Sequence, residues 1–370
     1  MEVAQQILKE ISSKLAYIQL CACVMPSQLG KTSLSFSNKT TKIFNDFVET
    51  ATKNEIIAKG PVVLNLIEPL LQTALKIFPP RKRLEDIARE YKKFQLENPN
   101  YPTYGIIYGW LNDLIDCKKL YSDGLPSHAR VGAFLHAGKF AVDENMILRD
   151  AFFFLVLAEK EMESFNQFIT LSKIGKNALN EGSYSRMMYM NTNIGSFCRT
   201  ALVNFYSFVE AFVNGIGLDH LFKNNQKLES KDQEILQGKY KGSYISLEKR
   251  LEQFPQIIRP DRKRVLIVTD LSQRKEPYKT FFDEGKEIRD SAVHFSALKE
   301  PIVRKPDEWL AKVKQYSKVS LNVAKDFWEA SYQTKRYPDY MDLLDYDTLY
   351  KIALKRLSIS YETKNETIPS

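Results

Sequence analysis

Apolar residues along this chain recur mainly at steps of three and four, the spacing of one face of an α-helix. In the first half this periodicity predicts helices over Glu2–Val24, Thr40–Ala58, Val62–Ile77, Leu84–Glu97, Tyr104–Leu120 and Glu144–Ser172. Pro79-Pro80 and the run Glu97-Asn98-Pro99-Asn100-Tyr101-Pro102 punctuate them. From Lys173 to Ser196 the composition turns polar and rich in Asn, Gly and Ser, which is where a domain boundary is expected.

The second half carries sharper stripes. Ile194, Phe197, Ala201, Phe205, Phe208, Phe212 and Ile216 trace one helix, with Asn193 as its expected N-cap and Gly215 and Gly217 as its stop. A second helix is expected over Ser243–Ile258, with Tyr244, Leu247, Leu251 and Phe254 inward and Pro255 at its kinked end. A third runs over Tyr278–Leu298, and a fourth over Asp307–Tyr332 with Trp309, Val313, Tyr316, Val323 and Phe327 inward. The one strand-like run is Arg264–Asp270. The fold class is therefore all-α, with an N-terminal helical domain (1–185), a four-helix bundle (186–335), and a C-terminal helix near Tyr346–Leu357 with a tail (336–370).

Composition adds limits. With 370 residues, 44% hydrophobic and 12% aromatic, the chain can bury a large core and is not a disordered sequence. The most apolar window, Pro61–Phe78, contains Asn65, Glu68, Gln72 and Lys76 and is interrupted by Pro69, so it reads as a buried helix rather than a membrane span. Cys21, Cys23, Cys117 and Cys198 form no CxxC pair, which fits a reducing, cytoplasmic setting. Residues 1–13 lack the uninterrupted apolar core of a signal peptide. The net charge of +8 favours a polyanionic partner.

Chemistry concentrates in Glu287-Ile288-Arg289-Asp290-Ser291-Ala292-Val293-His294, late in a chain with four histidines. Arg289 offers a permanent bidentate cation for phosphate oxygens, and His294 a proton-transfer group titrating near neutrality. Asp290 and His294 are four apart and share a helix face, so the carboxylate can fix the imidazole tautomer. Glu210 and Asn214, one turn apart on the first bundle helix, are secondary polar candidates. Arg259, Arg262, Lys263 and Arg264 form a basic run able to touch phosphates.

Three segments carry a family resemblance: Phe208-Val209-Glu210-Ala211-Phe212-Val213-Asn214, then Ser246-Leu247-Glu248-Lys249-Arg250-Leu251, then Arg289-Asp290-Ser291-Ala292-Val293-His294. In that order, over residues 190–335, they resemble a HEPN domain, a helical bundle whose signature is arginine, a polar residue, and histidine a few positions on. The resemblance implies a metal-independent endoribonuclease in which the 2′-OH attacks phosphorus, leaving a 2′,3′-cyclic phosphate. It further implies a homodimer with two motifs facing one cleft, no cofactor, and a role as toxin or antiviral-defence effector. An inhibitor or trigger-sensing partner is then expected, with the N-terminal half as sensor. The alternative is a non-catalytic HEPN scaffold for dimerisation or nucleotide binding. The first half resembles no family.

Three competing signals weigh less. Arg130 and His136, with five residues between them, also match an arginine followed by histidine after four to six positions, but they lie beside Gly124, Pro126 and Gly132 without a bundle around them. Ser27-Gln28-Leu29-Gly30-Lys31-Thr32 is similar to the end of a P-loop, but Met25 stands where that loop needs glycine. No HExxH, GxSxG or paired-cysteine metal motif occurs, and His128, His136 and His220 have no ligand partners at short spacing.

Overall fold

The computed structural model describes residues 2–24, 41–99, 106–117, 134–136, 139–174, 181–286, 289–290, 304–337, 341 and 344–362. These are predominantly helical and fall into two compact units, Met1–Val142 and Asp143–Ser370.

In the first unit α1 (Glu2–Val24) packs against α3 (Lys53–Ile77) and α4 (Leu84–Glu97), burying Ile11, Leu15, Ile18, Ile67, Leu71, Ala74, Ile87 and Tyr91. Gly60 lets α3 approach the Ile7 side chain closely. The helix expected over Thr40–Ala58 divides into α2 (Thr41–Thr50) and the start of α3. The reason is a capping box: Thr52 accepts from the Glu55 N–H, and the Glu55 carboxylate accepts from the Thr52 N–H at 3.0 Å. Pro61 and Pro69 do not break α3. Both lie on its exposed face, where carbonyls that lose a helical partner can reach water. The helix expected over Tyr104–Leu120 is shorter, α5 (Tyr108–Leu114). A small antiparallel sheet completes the unit: β1 (Ile106–Ile107) pairs with β2 (Phe134–His136), and β2 with β3 (Lys139–Ala141).

The second unit is built on two long helices, α6 (Asp143–Ile174) and α7 (Glu181–Asn224). Phe152 meets Phe205, Phe154 meets Phe197, and Asn193 donates to Glu161, so the helices run antiparallel. The boundary expected at 185/186 falls inside this pairing, and the compact units divide instead at Val142/Asp143. Asn193 is likewise inside α7, not capping it. Nor do Gly215 and Gly217 stop the helix. A side chain at Gly217 would collide with the Phe254 ring, so that glycine marks a close packing contact rather than an end.

After a 3₁₀ turn (Asn225–Lys227) come α8 (Ser230–Leu236), a hairpin of β4 (Lys239–Tyr240) and β5 (Ser243–Tyr244), and α9 (Leu247–Ile258). Helix α9 starts later than its apolar spacing predicts, because Ser246 caps it by accepting from the Lys249 N–H. Tyr244 consequently lies on the hairpin, exposed, and not on an inward helix face.

The apolar run Arg264–Asp270 forms no strand. It is tied to α9 by the buried Glu252 carboxylate, which accepts from the N–H groups of Val268 and Thr269 (2.8 Å for the latter), the Thr269 hydroxyl and Arg264. A helical turn α10 (Tyr278–Thr280) then opens into a π-turn over Phe281–Lys286. Helix α11 (Pro306–Tyr332) packs on α7, and α12 (Tyr346–Glu362) on α6. Phe152 against Tyr346, Tyr350 donating to Glu159 at 2.5 Å, and Arg356 with Asp150 at 2.6 Å join α12 to the core.

Among the described residues one helix, spanning α7, is long and apolar enough to cross a membrane, and most of its apolar window is buried inside the protein. That is compatible with a core helix of a soluble protein.

Candidate functional site

Helix α7 buries mostly apolar residues, Asp219 near its end excepted, and polar-tipped side chains line up along one edge. Tyr206, Glu210 and Asn214 stand four residues apart and stack up one edge of the helix. Arg250 reaches across from α9 and binds two of them: one guanidinium nitrogen donates to Glu210 at 2.7 Å and the other to Asn214. The Arg250 side chain is almost buried. Glu248, in the first turn of α9, binds Lys286 at 2.8 Å, bringing the end of the π-turn to the same place. Burial works against the Glu248 charge. The Lys286 ammonium and the backbone at the helix start outweigh it and hold the carboxyl below its ordinary pKa. The same hydrogen bond raises the Lys286 pKa, against burial.

Arg289 closes the group. Its guanidinium carbon sits 4.2 Å from the centre of the Tyr206 ring, a cation–π contact. One nitrogen lies 3.0 Å from Asp290. Burial opposes the Arg289 charge, but the Tyr206 hydroxyl, Asp290 and Glu210 more than offset it. Burial also pushes the Tyr206 phenol up, against the pull of Arg289, which donates to its oxygen, so Tyr206 stays neutral.

Beneath Arg289 lies an aromatic column. Tyr206 stacks on Phe281 (5.1 Å between centres, 12° between planes), and Phe281 stacks on Tyr316 (5.4 Å, 12°). The buried Tyr316 hydroxyl donates to the Phe281 carbonyl at 3.2 Å, within the wide π-turn. Gly285 belongs to this packing, since any side chain there would occupy the volume of the Tyr316 ring.

Three cations (Arg250, Lys286, Arg289) and three carboxylates (Glu210, Glu248, Asp290) therefore converge on one edge of α7. The Nε groups of Arg250 and Arg289 are buried with no hydrogen-bond partner among the described residues. Such a cluster can bind an oxyanion if a carboxylate swings aside, and three cationic donors suit a phosphodiester.

The structure brings together four of the residues singled out in the sequence: Arg289, Asp290, Glu210 and Asn214. His294 lies outside the described residues, as do Arg130, His128 and the Ser27–Thr32 segment. His136 falls in β2. His220 is on α7, half-buried, with its pKa lowered by burial. The basic run stands elsewhere and is largely neutralised. Arg259 pairs with Asp261 at 2.8 Å and donates to the Ala330 carbonyl, Arg262 pairs with Asp232 at 2.7 Å, and Arg264 with Glu252 at 3.1 Å. Lys263 is exposed.

No protein-family model, curated protein or solved structure matches this chain.

Sequence reasoning missed Tyr206, Glu248, Arg250 and Lys286. Tyr206 passes for one more aromatic beside Phe205, and its distinguishing signal is the four-residue spacing to Glu210 and Asn214. Glu248 and Arg250 were visible as polar residues within a resembling segment, without a partner to define them. Among the described residues no group of three or more His, Cys, Asp or Glu side chains could hold a metal ion.

Proposed function

We propose that the second unit is a HEPN-type endoribonuclease that cleaves RNA through attack of the 2′-OH, without a metal, to a 2′,3′-cyclic phosphate. The observation that carries this reading is the convergence of Arg289 with Arg250 and Lys286 on the Tyr206–Glu210–Asn214 edge, in the helix order of the family resemblance. Arg289 neutralises the charge developing at phosphorus, and His294 moves the proton between the attacking and leaving oxygens. Asp290 and the Tyr206 ring hold the guanidinium in place until a phosphate competes for it. In this reading the protein is a cytoplasmic homodimer acting as a toxin or antiviral-defence effector. Its first unit senses a trigger or holds the nuclease in check.

The test is incubation of bulk cellular RNA with purified protein in EDTA, comparing wild type, His294→Ala and Arg289→Ala, followed by end-group analysis. Cleavage by wild type alone with cyclic-phosphate ends is the expected result. Undiminished cleavage by His294→Ala, or dependence on a divalent ion, sinks the mechanism.

One observation favours a second reading, a non-catalytic scaffold. Arg289 already engages Asp290 and the Tyr206 ring, as a structural arginine would. A protein that dimerises normally and never cleaves RNA, with Arg289→Ala simply losing stability, would establish that reading.

A further inference from the structure

The β4–β5 hairpin is a ribbon with a two-residue turn, Lys241-Gly242, in which both residues have positive φ (50° and 76°). This is the turn that matches the twist of paired strands. Two features pin it: the Gly242 N–H donates to Glu234 on α8 at 2.8 Å, and the Ile245 N–H to the Gly238 carbonyl at 3.0 Å. So short a ribbon gains little from its own ladder, yet it projects large aromatic rings into solvent. Tyr244 is 83% exposed and Tyr240 40%.

Each ring carries a lysine. Lys239 lies directly across from Tyr244, with its ammonium 5.5 Å from the ring centre, and Lys241 stands 5.5 Å from the ring of Tyr240. Residues 239–244 (Lys-Tyr-Lys-Gly-Ser-Tyr) contain no acidic side chain. Unlike the Arg259–Arg264 run, where three arginines are already paired with carboxylates, these lysines face only aromatic rings in the contacts seen. The base of the hairpin is near the candidate site, since a side chain added at Gly238 would come within 3.8 Å of Arg250 Cδ.

Exposed rings interleaved with cations suit single-stranded nucleic acid. Unpaired bases stack on the rings and the lysines follow the backbone phosphates, with little dependence on sequence. We infer that the Lys239–Tyr244 hairpin is a binding arm for single-stranded RNA, stacking an unpaired base on Tyr244 and leading the adjoining phosphate toward Arg250. The inference rests on the RNA-directed reading of the second unit, but it concerns binding and not cleavage.

The experiment is fluorescence anisotropy with a short fluorescein-labelled, mixed-sequence single-stranded RNA bearing 2′-O-methyl riboses, which 2′-OH attack cannot cleave. Tyr244→Ala is expected to weaken binding about 5- to 100-fold, the loss of one base stack. Tyr244→Phe keeps the ring and most of the affinity. Replacing Lys239 and Lys241 by Gln should lower the slope of log affinity against log salt by about 1.4, two phosphate contacts on a single strand. Tyr184→Ala, an exposed tyrosine elsewhere on α7, serves as control and should bind like wild type. Tyr244 is so exposed that its removal should leave the fold intact, which far-UV circular dichroism checks.

Hairpin-dependent binding by a protein that cleaves no RNA supports the arm and sinks the nuclease. Cleavage dependent on His294, with hairpin variants that bind like wild type, does the reverse. A wild type that does not bind the oligonucleotide, or a Tyr244→Ala variant that loses only a protein partner, overturns the arm.

Discussion

Replacing Gly285 by alanine tests the packing beneath Arg289. The added methyl would fall on the Cε2, Cζ and Oη atoms of Tyr316, a buried ring fixed by its stack on Phe281 and its hydrogen bond to the Phe281 carbonyl. Displacing the ring forfeits an aromatic pair of about 0.5–1.5 kcal/mol and a hydrogen bond of about 1 kcal/mol net. Overpacking adds ~1–3 kcal/mol, while alanine recovers at most ~1 kcal/mol of helix propensity. The expected net loss is about 2–4 kcal/mol, or roughly 5–15 °C in Tm for a unit of this size. Tyr316→Ala alone should cost about 3–5 kcal/mol, since it leaves a cavity. In that background Gly285→Ala should cost nothing or stabilise slightly, because the obstructing ring is gone. Thermal and urea unfolding at 222 nm, with hydrogen exchange of α11 amides to isolate the second unit, measure the full cycle. Additive single and double mutants would refute the claim that Gly285 exists to admit Tyr316.

Two other outcomes follow from the structure. Glu252→Gln can keep the oxygen that accepts from Val268 and Thr269 N–H, but it removes the charge and turns the oxygen facing Arg264 and the Thr269 hydroxyl into an amide donor, and should destabilise by about 2–4 kcal/mol at neutral pH. Burial opposes the Glu252 charge, but these donors outweigh it and lower its folded pKa, so its stabilising effect is complete above the unfolded carboxyl pKa. That effect fades as pH falls through the lower folded value, and the Tm gap between wild type and variant should close on acidification. A gap independent of pH would count against this account. Burial raises the thiols of Cys21, Cys117 and Cys198, the last two to about 12. A disulfide reagent should therefore label them only on unfolding, and half-buried Cys23 first; rapid labelling of all four in the native protein would contradict this.

Helices whose ends are set locally were legible. Glu2–Val24 and Leu84–Glu97 have the bounds their periodicity predicts, and the α11 stripe Trp309, Val313, Tyr316, Val323 and Phe327 is buried. What periodicity missed depends on partners distant in sequence. Gly217 reads as a helix stop until the Phe254 ring is seen against it. Tyr244 reads as the first inward residue of a helix, because its spacing to Leu247 and Leu251 is helical, whereas Ser246 caps the chain later and the Lys241-Gly242 turn claims the tyrosine for a hairpin. Of the candidate site, Arg289, Asp290, Glu210 and Asn214 were visible because their types announce chemistry. Arg250, though inside a resembling segment, and Lys286 announce no role, since on a basic chain one cation looks like another until a carboxylate is found opposite it.

The polar edge of α7 also decides which of several near-equivalent packings this bundle adopts. Leucine and phenylalanine surfaces tolerate sliding, and a neighbouring helix displaced by one turn, about 5.4 Å, would still bury much of its oil. Arg250 permits no such indifference. Between Glu210 and Asn214 two of its guanidinium nitrogens find acceptors; one turn along, this nearly buried group would lose both, at a cost of about 1–3 kcal/mol, the Glu210 carboxylate being itself half exposed. The ladder thus works as a vernier: a few charged rungs convert a slippery apolar contact into a single alignment of α9 on α7, and with it fix the distance between the hairpin and the edge on which Arg289 rests.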